Sequence, residues 1–586
     1  MFHLQTLVAS AALALCAALS SALAAYPVSS ITSNNGTLSP KKLAYALERL
    51  NATVEGRLHA SVPLARPCFS IYEGRHVPAN PAACATVQSN YTNPAFRLED
   101  FAAYMLLQSE TCQTSPEPDQ CVLDYTDPSD PSAYTGADCR LGNIPSYYVE
   151  VANAADVQAA LQFSKDTGIR LTVKNKGHDY KGRSSGKGTL ALWTTGLTSI
   201  SHDAAFRPEG CSTTYDAVTV GAGVLTEDVY RFADQVNRTV IGGYHQTIGF
   251  AGGFALGGGH SILTPVFGLA VDRVVQVRVV TPDGVYRTAN ECQHPDLFFA
   301  LRGGGGSAFG VVIESSHRTE PRMPIQAAAL SFKAANTTDL TDWYALTVNY
   351  SYQWANEGWG GHIPGAGLIH VNPLLSNAEA SESMKAAADF VRARGGSAVV
   401  EELPSWWAFF DKYVLSAEAG VGNEVATGSR LIPSKFFSTE SGKAELSALI
   451  ADTLPFASPY VRAGTPWLFK GEPGATSVTP AWRDAIWHLG LSVPIPYNAT
   501  LAQREEIYRT MGEHNQRFRD LTPGSGAYFN EGYVYEPDHE QSFWGDNYRK
   551  LLEVKRKYDP DGLLDCWQCV GWKGPSDPLY QCYIKL

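Results

Sequence analysis

The feature that most constrains this chain is a histidine inside a loop of small residues that directly follows an apolar, strand-like run. The run covers residues 169–173, and the loop covers residues 174–186 with the sequence KNKGHDYKGRSSG. Glycine and serine leave backbone N–H groups uncovered, so a pyrophosphate can approach the main chain closely. His178 adds a nucleophile to the same loop. The pattern therefore predicts a loop that holds a phosphate-containing ligand beside a reactive imidazole.

Further glycine-rich segments follow at residues 242–253 (GGYHQTIGFAGG), 257–261 (GGGHS), 268–272 (GLAVD) and 303–312 (GGGGSAFGVV). A Rossmann turn needs G-x-G-x-x-G between a strand and a helix, and the first segment lacks that spacing. Its glycines suit a backbone that lies along a flat ligand. The last segment lies between a helix-like stretch, 295–302, and a strand-like stretch, 311–318, which favours a tight connection over a flexible linker.

Together these segments resemble the FAD-binding domain of the vanillyl-alcohol oxidase superfamily, and most closely its berberine-bridge-enzyme-like branch in fungi. Residues 543–545 (FWG) and 555–560 (KRKYDP) are similar to the C-terminal signature of that family. The resemblance covers residues 140–320 and 524–572 well and the middle loosely. It implies an α+β fold, with a two-part PCMH-type FAD-binding domain and an α+β substrate domain containing an antiparallel sheet.

The predicted organisation has five parts. They are a signal peptide at 1–25, a cysteine-containing lead-in at 26–140, the FAD-binding domain at 141–322, a substrate-binding domain at 323–523, and a C-terminal segment at 524–586 that returns to the FAD-binding domain.

Local patterns predict individual elements within these parts. Asn153 followed by Asp156 is typical of a helix start, and Gly168 of a helix end. A Pro-Asp-Gly turn between residues 273–281 and 285–288 predicts a hairpin. Apolar residues at helical spacing predict one helix over 378–394.

The resemblance implies that His178 is bonded covalently to the 8α-methyl of FAD. Many relatives have a cysteine at the position of His245, where it forms a second bond to the flavin. Since this chain has a histidine there, we expect one covalent link. His245 itself is either an acid or base, a pocket wall, or a space-filling residue. Ile248 matches a position that influences oxygen access in relatives, and isoleucine leaves oxidase and dehydrogenase both open.

The resemblance further implies which residues surround the cofactor. The predicted cofactor-binding residues are Asn175, Lys176, Gly177, His178, Asp179, Ser184, Ser185, Gly243, Thr247, Gly249, Gly252, Gly253, Gly257, Gly258, Gly259, His260, Ser261, Asp272, Val311, Val312 and Asn530.

A Tyr-x-Asn pattern at Tyr528 and Asn530 is similar to the family motif near the reactive side of the flavin. If this segment is a strand, the two side chains share a face. Tyr528 is then a candidate base for the substrate hydroxyl, provided that its pKa is lowered, and otherwise lines the pocket. Relatives often have a tyrosine after the asparagine, whereas this chain has Glu531, which leaves the identity of the base open. The predicted catalytic residues are Tyr528, Asn530 and His245.

The N-terminal residues 1–25 predict an export signal. Residues 7–25 are almost wholly apolar, carry no charge and end in small residues at alternate positions. A membrane anchor is the alternative, but the run is short for a membrane span. We therefore expect a secreted, extracellular protein.

Cysteines and glycosylation sequons agree with export. Cys16 leaves with the signal, and an even number remains, which favours disulfides whose pairing is open. The remaining cysteines are Cys68, Cys84, Cys112, Cys121, Cys139, Cys211, Cys292, Cys566, Cys569 and Cys582. The predicted glycosylation sites are Asn35, Asn51, Asn90, Asn237, Asn336, Asn349 and Asn498.

Several function classes are disfavoured. The net charge is −12 and no basic run is present, which argues against a nucleic-acid partner. No metal-binding spacing is found, so we expect no metal. Residues 182–186 match G-x-S-x-G, but the hydrolase motif needs a helix after the turn and a strand is predicted here.

We therefore expect a secreted monomeric oxidase with covalent FAD that binds a small-molecule substrate and O2. It would oxidise an alcohol, hemiacetal or similar compound by hydride transfer to flavin N5 and release hydrogen peroxide. Three alternatives are open: a dehydrogenase with another electron acceptor, an oligosaccharide oxidase, and a non-catalytic flavin-containing binding protein.

Overall fold

The computed structural model describes residues 39–417 and 419–586. The predicted signal peptide, Cys16 and Asn35 lie outside the described residues. Within the described part, no helix has both the length and the apolar character that crossing a bilayer requires.

The loop with His178 follows a strand of a four-stranded sheet. The strands lie in the order Leu58–Ala60, Tyr147–Glu150, Leu190–Trp193 and Leu171–Lys174. The last three run parallel to one another, and the first is antiparallel to its neighbour. The parallel strands end at one edge of the sheet, which places the 174–186 loop there.

The helix Ala154–Thr167 joins two of these parallel strands and begins and ends as predicted. The side chain of Asn153 accepts hydrogen bonds from the backbone N–H groups of Ala155 and Asp156, and the Asp156 carboxylate accepts one from Asn153. Gly168 ends the helix at φ 72°, a left-handed conformation that favours glycine. The predicted capping residues are therefore confirmed.

A five-stranded antiparallel sheet forms the second part of this region. Its strands lie in the order Tyr286–Ala289, Val274–Val280, Val311–Arg318, Tyr215–Gly221 and Ile200–Phe206. The predicted hairpin is confirmed, since the first two strands pair across residues 281–285. The strand predicted at 311–318 is also confirmed, and its first residues, Val311 and Val312, line a large cavity.

A seven-stranded antiparallel sheet occupies the middle of the chain. Its strands lie in the order Ser397–Leu403, Ile325–Ser331, Gly367–Asn372, Gly360–Pro364, Tyr460–Ala463, Ala485–Pro494 and Val425–Pro433. The long helices Thr337–Glu357 and Leu501–Leu521 pack against it. This sheet confirms the α+β class with an antiparallel substrate-domain sheet.

One helix prediction is wrong in detail. Residues 378–394 form two helices, Asn377–Ser383 and Lys385–Ala393, rather than one. Met384 separates them at φ −86° and ψ −1°, away from the usual α-helical dihedrals. Its side chain is fully buried in the core.

The remaining helices and short strands connect these layers. The helices are Pro40–Thr53, Pro81–Asn90, Pro94–Leu98, Thr226–Gln235, Thr264–Phe267, Ala270–Arg273, Pro295–Leu301, Trp406–Tyr413, Lys435–Ser438, Glu440–Thr453, His539–Trp544 and Tyr548–Tyr558, with a π-helix at Phe250–Phe254. The short strands are Ile71–Tyr72, Arg75–His76, Asp138–Cys139, Arg238–Thr239 and Glu320–Pro321.

The C-terminal segment packs on the four-stranded sheet and its helix. Phe529, Trp544 and Leu551 share one buried core with Val149 and Leu161 of the first sheet layer. The cysteines of the described part form the disulfides Cys68–Cys84, Cys112–Cys582, Cys121–Cys139, Cys211–Cys292 and Cys566–Cys569.

Candidate active site

A cavity of about 530 Å³ lies between the His178 loop and the seven-stranded sheet. One side of it consists of residues 175–184, the segment 243–256 and the start of the strand Val311–Arg318. The other side consists of residues 419–428 and the strands Tyr460–Ala463 and Ala485–Pro494, and residues 528–531 close one end. Its volume lies within the range of small-molecule and cofactor sites.

His178 lies in the cavity wall as a partly buried, neutral imidazole. Its Nε2 is 2.8 Å from Thr247 Oγ1, so the hydroxyl holds that nitrogen. Nδ1 makes no hydrogen bond to a described residue and is the nitrogen open to a ligand. Burial, together with the nearby His245, holds the pKa of His178 well below its usual range. A neutral imidazole keeps the lone pair that a nucleophile needs.

His245 lies beside His178, with the two ring centroids 5.0 Å apart. Its Nδ1 is 3.0 Å from Thr247 Oγ1, and its Nε2 is 3.3 Å from the carbonyl of Ala419. Thr247 therefore bridges the two histidines, and His245 reaches across to a loop near the seven-stranded sheet. The role of His245 stays a prediction.

Glycines form a cradle around Asn175 that a larger residue would fill. A Cβ at Gly252 would lie 2.7 Å from Asn175 Nδ2, and one at Gly249 would overlap Asn175 Oδ1. The Asn175 side chain is held by donation to Thr194 Oγ1 at 3.1 Å. Asn175 Oδ1 and Ser184 Oγ are buried without a hydrogen-bond partner among the residues described. Buried orphan polar atoms beside a glycine cradle fit a polar, flat cofactor such as FAD.

Lys176 adds positive charge to the same wall. Its Nζ donates to Thr195 Oγ1 at 2.6 Å, and burial lowers the pKa of Lys176 to about 8. It is therefore largely protonated at neutral pH and available to a phosphate group.

Most of the predicted cofactor residues line the cavity. They are Asn175, Lys176, Gly177, His178, Asp179, Ser184, Gly243, Gly249, Gly252, Gly253, His260, Val311, Val312 and Asn530. Two of the predicted catalytic residues, Tyr528 and His245, also lie in its wall.

The other predicted cofactor residues lie behind the wall. Ser185 donates to the Asn143 carbonyl at 2.6 Å, and Asp272 pairs with Arg483 at 2.7 Å. The carbonyls of Gly258 and Gly259 accept hydrogen bonds from residues 271 and 270. Gly257, Ser261 and Thr247 are likewise outside the lining. These residues support the loops that form the wall.

Tyr528 and Asn530 lie in a turn rather than in a strand, so the predicted shared strand face is wrong. The N–H groups of Glu531 and Gly532 both donate to the Tyr528 carbonyl, at 3.1 and 2.8 Å, which closes the turn. Asn530 Nδ2 donates to the His178 carbonyl at 3.1 Å, and its Oδ1 accepts from Arg183 at 2.9 Å. Asn530 therefore ties the turn to the His178 loop.

Tyr528 is buried near His260, with ring centroids 5.2 Å apart. Burial and the negative charge of Glu531 raise the pKa of Tyr528 above its usual range, although the Gly259 amide opposes this. The lowered pKa that would make Tyr528 a base is therefore not found. The phenol stays protonated at neutral pH and acts as a hydrogen-bond donor.

Glu531 lies at the centre of a charged cluster in the same end of the cavity. Its carboxylate is 2.9 Å from Arg462 NH2, 3.1 Å from His260 Nε2 and 3.8 Å from His488 Nδ1. Burial alone would raise the pKa of Glu531, but Arg462 and His260 together hold it well below its usual range. Glu531 is therefore ionised at neutral pH.

Aromatic and histidine rings form the wall on the side of the seven-stranded sheet. His362 lies between Tyr244 and Tyr460, with centroid distances of 4.4 and 5.4 Å. Both nitrogens of His362 are buried and without a hydrogen-bond partner among the described residues. This wall offers stacking surfaces and unsatisfied polar atoms to a substrate.

Sequence reasoning missed Arg462, His488, His362 and Tyr460 as site residues. A partial signal was present, because Tyr460 and Arg462 are two residues apart and share one face of a strand. Which face points to the cavity depends on strand pairing, which these local patterns do not specify.

Comparison with known proteins agrees with this architecture. Residues 145–290 match the FAD binding domain family, and residues 527–570 match the berberine and berberine-like family. The chain is 42% identical over 566 residues to the FAD-linked oxidoreductase ffsJ of Aspergillus flavipes, covering 90% of this chain and 92% of that protein. It is 31% identical over 537 residues to the VAO-type flavoprotein oxidase VAO615 of Thermothelomyces thermophilus, covering 88% of each.

A solved structure shows the same fold. The VAO-type flavoprotein MtVAO713 from Myceliophthora thermophila C1 superposes with a TM-score of 0.80 at 25% identity, covering 92% of this chain and 97% of that chain. Two matched domains, relatives over nearly the whole chain and a cavity that fits FAD all agree. The chain belongs to the berberine-bridge-like branch of the vanillyl-alcohol oxidase family and is an FAD-linked oxidoreductase.

Proposed function

We propose that this protein is an oxidase whose FAD is attached covalently through His178, and that it oxidises an alcohol or hemiacetal with release of hydrogen peroxide. When bound, FAD would supply a hydride acceptor for the substrate carbon and a route for its electrons to O2. The observation that carries the proposal is the neutral imidazole of His178 in the wall of the cavity, with Nε2 held by Thr247.

The chain supplies the other groups that the cofactor needs. Lys176 would hold the pyrophosphate, because its cationic side chain lies in the same cavity wall as residues 175–184. The glycines at 249 and 252 make room for the Asn175 side chain, and at Gly253 the space beside the backbone is open to a flat ring. Asn530 would keep the His178 loop in place through the His178 carbonyl.

The substrate would bind between this cofactor site and the seven-stranded sheet. Tyr244, His362 and Tyr460 offer stacking surfaces for a cyclic or aromatic compound, and His362 offers two hydrogen-bonding nitrogens. Tyr528 would donate a hydrogen bond to the substrate oxygen, since its phenol is protonated. Both a sugar and a phenolic alcohol present hydroxyl groups beside a flat face, so both belong in a substrate screen.

The covalent link is tested by acid precipitation of the purified protein. We expect the wild-type pellet to stay yellow and the peptide with His178 to carry the mass of FAD. His178→Ala should release any flavin into the supernatant. His245→Ala is the matched control, because a single link through His178 predicts that its pellet stays yellow. A colourless wild-type pellet would contradict the proposed attachment.

Oxidase activity is tested with a panel of alcohols, sugars and phenols. We expect at least one compound to bleach the flavin without oxygen, and air to restore the colour with release of hydrogen peroxide. Bleaching that air does not reverse, but that a quinone does, would indicate a dehydrogenase. A flavin that no compound bleaches would indicate a binding protein.

A further inference from the structure

Within the function proposed above, we propose that His260 is the base that accepts the substrate hydroxyl proton and that Glu531 positions it. His260 lies in the cavity wall, and its Nε2 is 3.1 Å from Glu531 Oε1. The pair lies next to Tyr528, whose ring centroid is 5.2 Å from that of His260. The proposed proton acceptor is therefore the imidazole of His260 and not the adjacent phenol of Tyr528.

The hydrogen bond to Glu531 determines which nitrogen can react. An ionised carboxylate only accepts hydrogen bonds, so Nε2 must donate and therefore carries the proton. Nδ1 then bears the lone pair, and it makes no hydrogen bond to any residue that the structure describes. A histidine held by a carboxylate on one nitrogen, with the other open to substrate, is the arrangement that general-base catalysis uses.

The charges around His260 and Glu531 keep the Glu531 carboxylate ionised, as its positioning of His260 requires. Arg462 contacts Glu531 Oε2 at 2.9 Å, and His488 Nδ1 lies 3.8 Å from the same oxygen. These groups favour the carboxylate, and the carboxylate in turn stabilises the imidazolium formed when His260 takes a proton. The other titratable groups at this end include Tyr180, Tyr528, Tyr460 and His362, and burial favours the neutral form of each.

Another reading of the cluster is a metal site, since the ligand atoms of His260, His488 and Glu531 lie within 4.8 Å of one another. Arg462 disfavours it. Its guanidinium already pairs with Glu531 Oε2 and would repel a cation at the same oxygen. The cluster is therefore better suited to holding and moving a proton.

The proton passes from the substrate oxygen to His260. The O–H bond of the substrate breaks, an N–H bond forms at His260 Nδ1, and the alcohol oxygen keeps the electron pair. That pair forms the C=O bond as the carbon releases its hydrogen, with two electrons, to the FAD of the proposed function. His260 later returns its proton to solvent or to the reduced site, which restores the neutral imidazole.

The kinetic test measures anaerobic flavin reduction against pH with a substrate from the screen. We expect His260→Gln to lower the rate by about 10²- to 10⁴-fold, the usual contribution of a general base, and to abolish the acid limb of the profile. Glu531→Gln should lower the rate and move the acid limb to lower pH, and Glu531→Asp should restore part of both. A His260→Gln enzyme with wild-type rate and pH profile would overturn the proposal.

A second test needs no substrate. Diethyl pyrocarbonate acylates only unprotonated imidazole, and mass spectrometry of the peptide with His260 measures its labelling rate in the flavin-loaded protein. We expect faster labelling at mildly acidic pH in Glu531→Gln, because the lost carboxylate no longer stabilises the imidazolium. Glu531→Asp should stay near wild type. An unchanged labelling rate in Glu531→Gln would refute the pairing, even if no compound reduces the flavin.

Discussion

At the scale of single residues, the site depends on how each imidazole is held. His178 has one nitrogen on Thr247 and stays neutral in a partly buried position. His260 has one nitrogen on an ionised carboxylate, Glu531. The proposed roles thus use the same side chain as a nucleophile in one place and as a proton acceptor in another. The motif around His178 was recognisable in the sequence, whereas its hydrogen-bond partner became evident only in the structure.

Thr247 offers a test at this scale. Thr247→Val keeps the shape of the side chain but removes the hydroxyl that orients His178 Nε2, so we expect a smaller fraction of covalently bound flavin. Thr247→Ser keeps the hydroxyl and is the matched control. The measurement is the ratio of flavin in the acid pellet to flavin in the supernatant. Equal ratios for the two variants would show that the hydroxyl does not matter.

At the scale of secondary-structure elements, the sequence predicted the helices and hairpins whose ends are determined by residues next to them in the chain. The helix Ala154–Thr167 has its cap and its glycine stop within the same short stretch, and the hairpin around residues 281–285 has its turn there. Residues 528–531 form a turn and not a strand, because two backbone N–H groups bond to the Tyr528 carbonyl, which the Tyr-x-Asn spacing does not reveal. Its contacts with the His178 loop come from residues more than 300 positions away in sequence.

Asn530 tests the connection between these two elements. Asn530→Ala removes a donor to the His178 carbonyl and an acceptor for Arg183, which leaves buried polar groups unpaired. We expect flavin to bind but to become covalent more slowly, as measured by the time course of acid-stable flavin in reconstituted protein. Asn530→Asp keeps the acceptor for Arg183 and should fall between Ala and wild type. A wild-type time course in Asn530→Ala would contradict this role.

At the scale of the whole molecule, distant parts of the chain close the cavity. Segments between residues 175 and 312 supply one wall, the seven-stranded sheet supplies the other, and residues 528–531 close the end. The disulfide Cys112–Cys582 joins residues 470 positions apart and fastens the C-terminus to the N-terminal region. Tyr583, next to this disulfide, donates to the Lys181 carbonyl at 2.7 Å in the His178 loop.

The disulfides offer a test at this scale. In the chain-entropy model, closing a loop of 470 residues restricts the unfolded chain by about 3 kcal/mol more than closing one of 16 residues. We therefore expect Cys112→Ser with Cys582→Ser to lower the thermal unfolding midpoint more than Cys68→Ser with Cys84→Ser does. The second pair is the control for cysteine loss itself. A larger drop in the control pair would contradict this order.

The amino-acid sequence by itself determined the α+β class, the FAD family and the loop that carries His178, because these depend on short motifs whose residues are neighbours in the chain. Only the tertiary structure brought Glu531, Arg462 and His488 to His260, because strand pairing in the seven-stranded sheet places residues from separate segments around one carboxylate. Electrostatic effects depend on distance and burial in space, and a linear pattern contains neither.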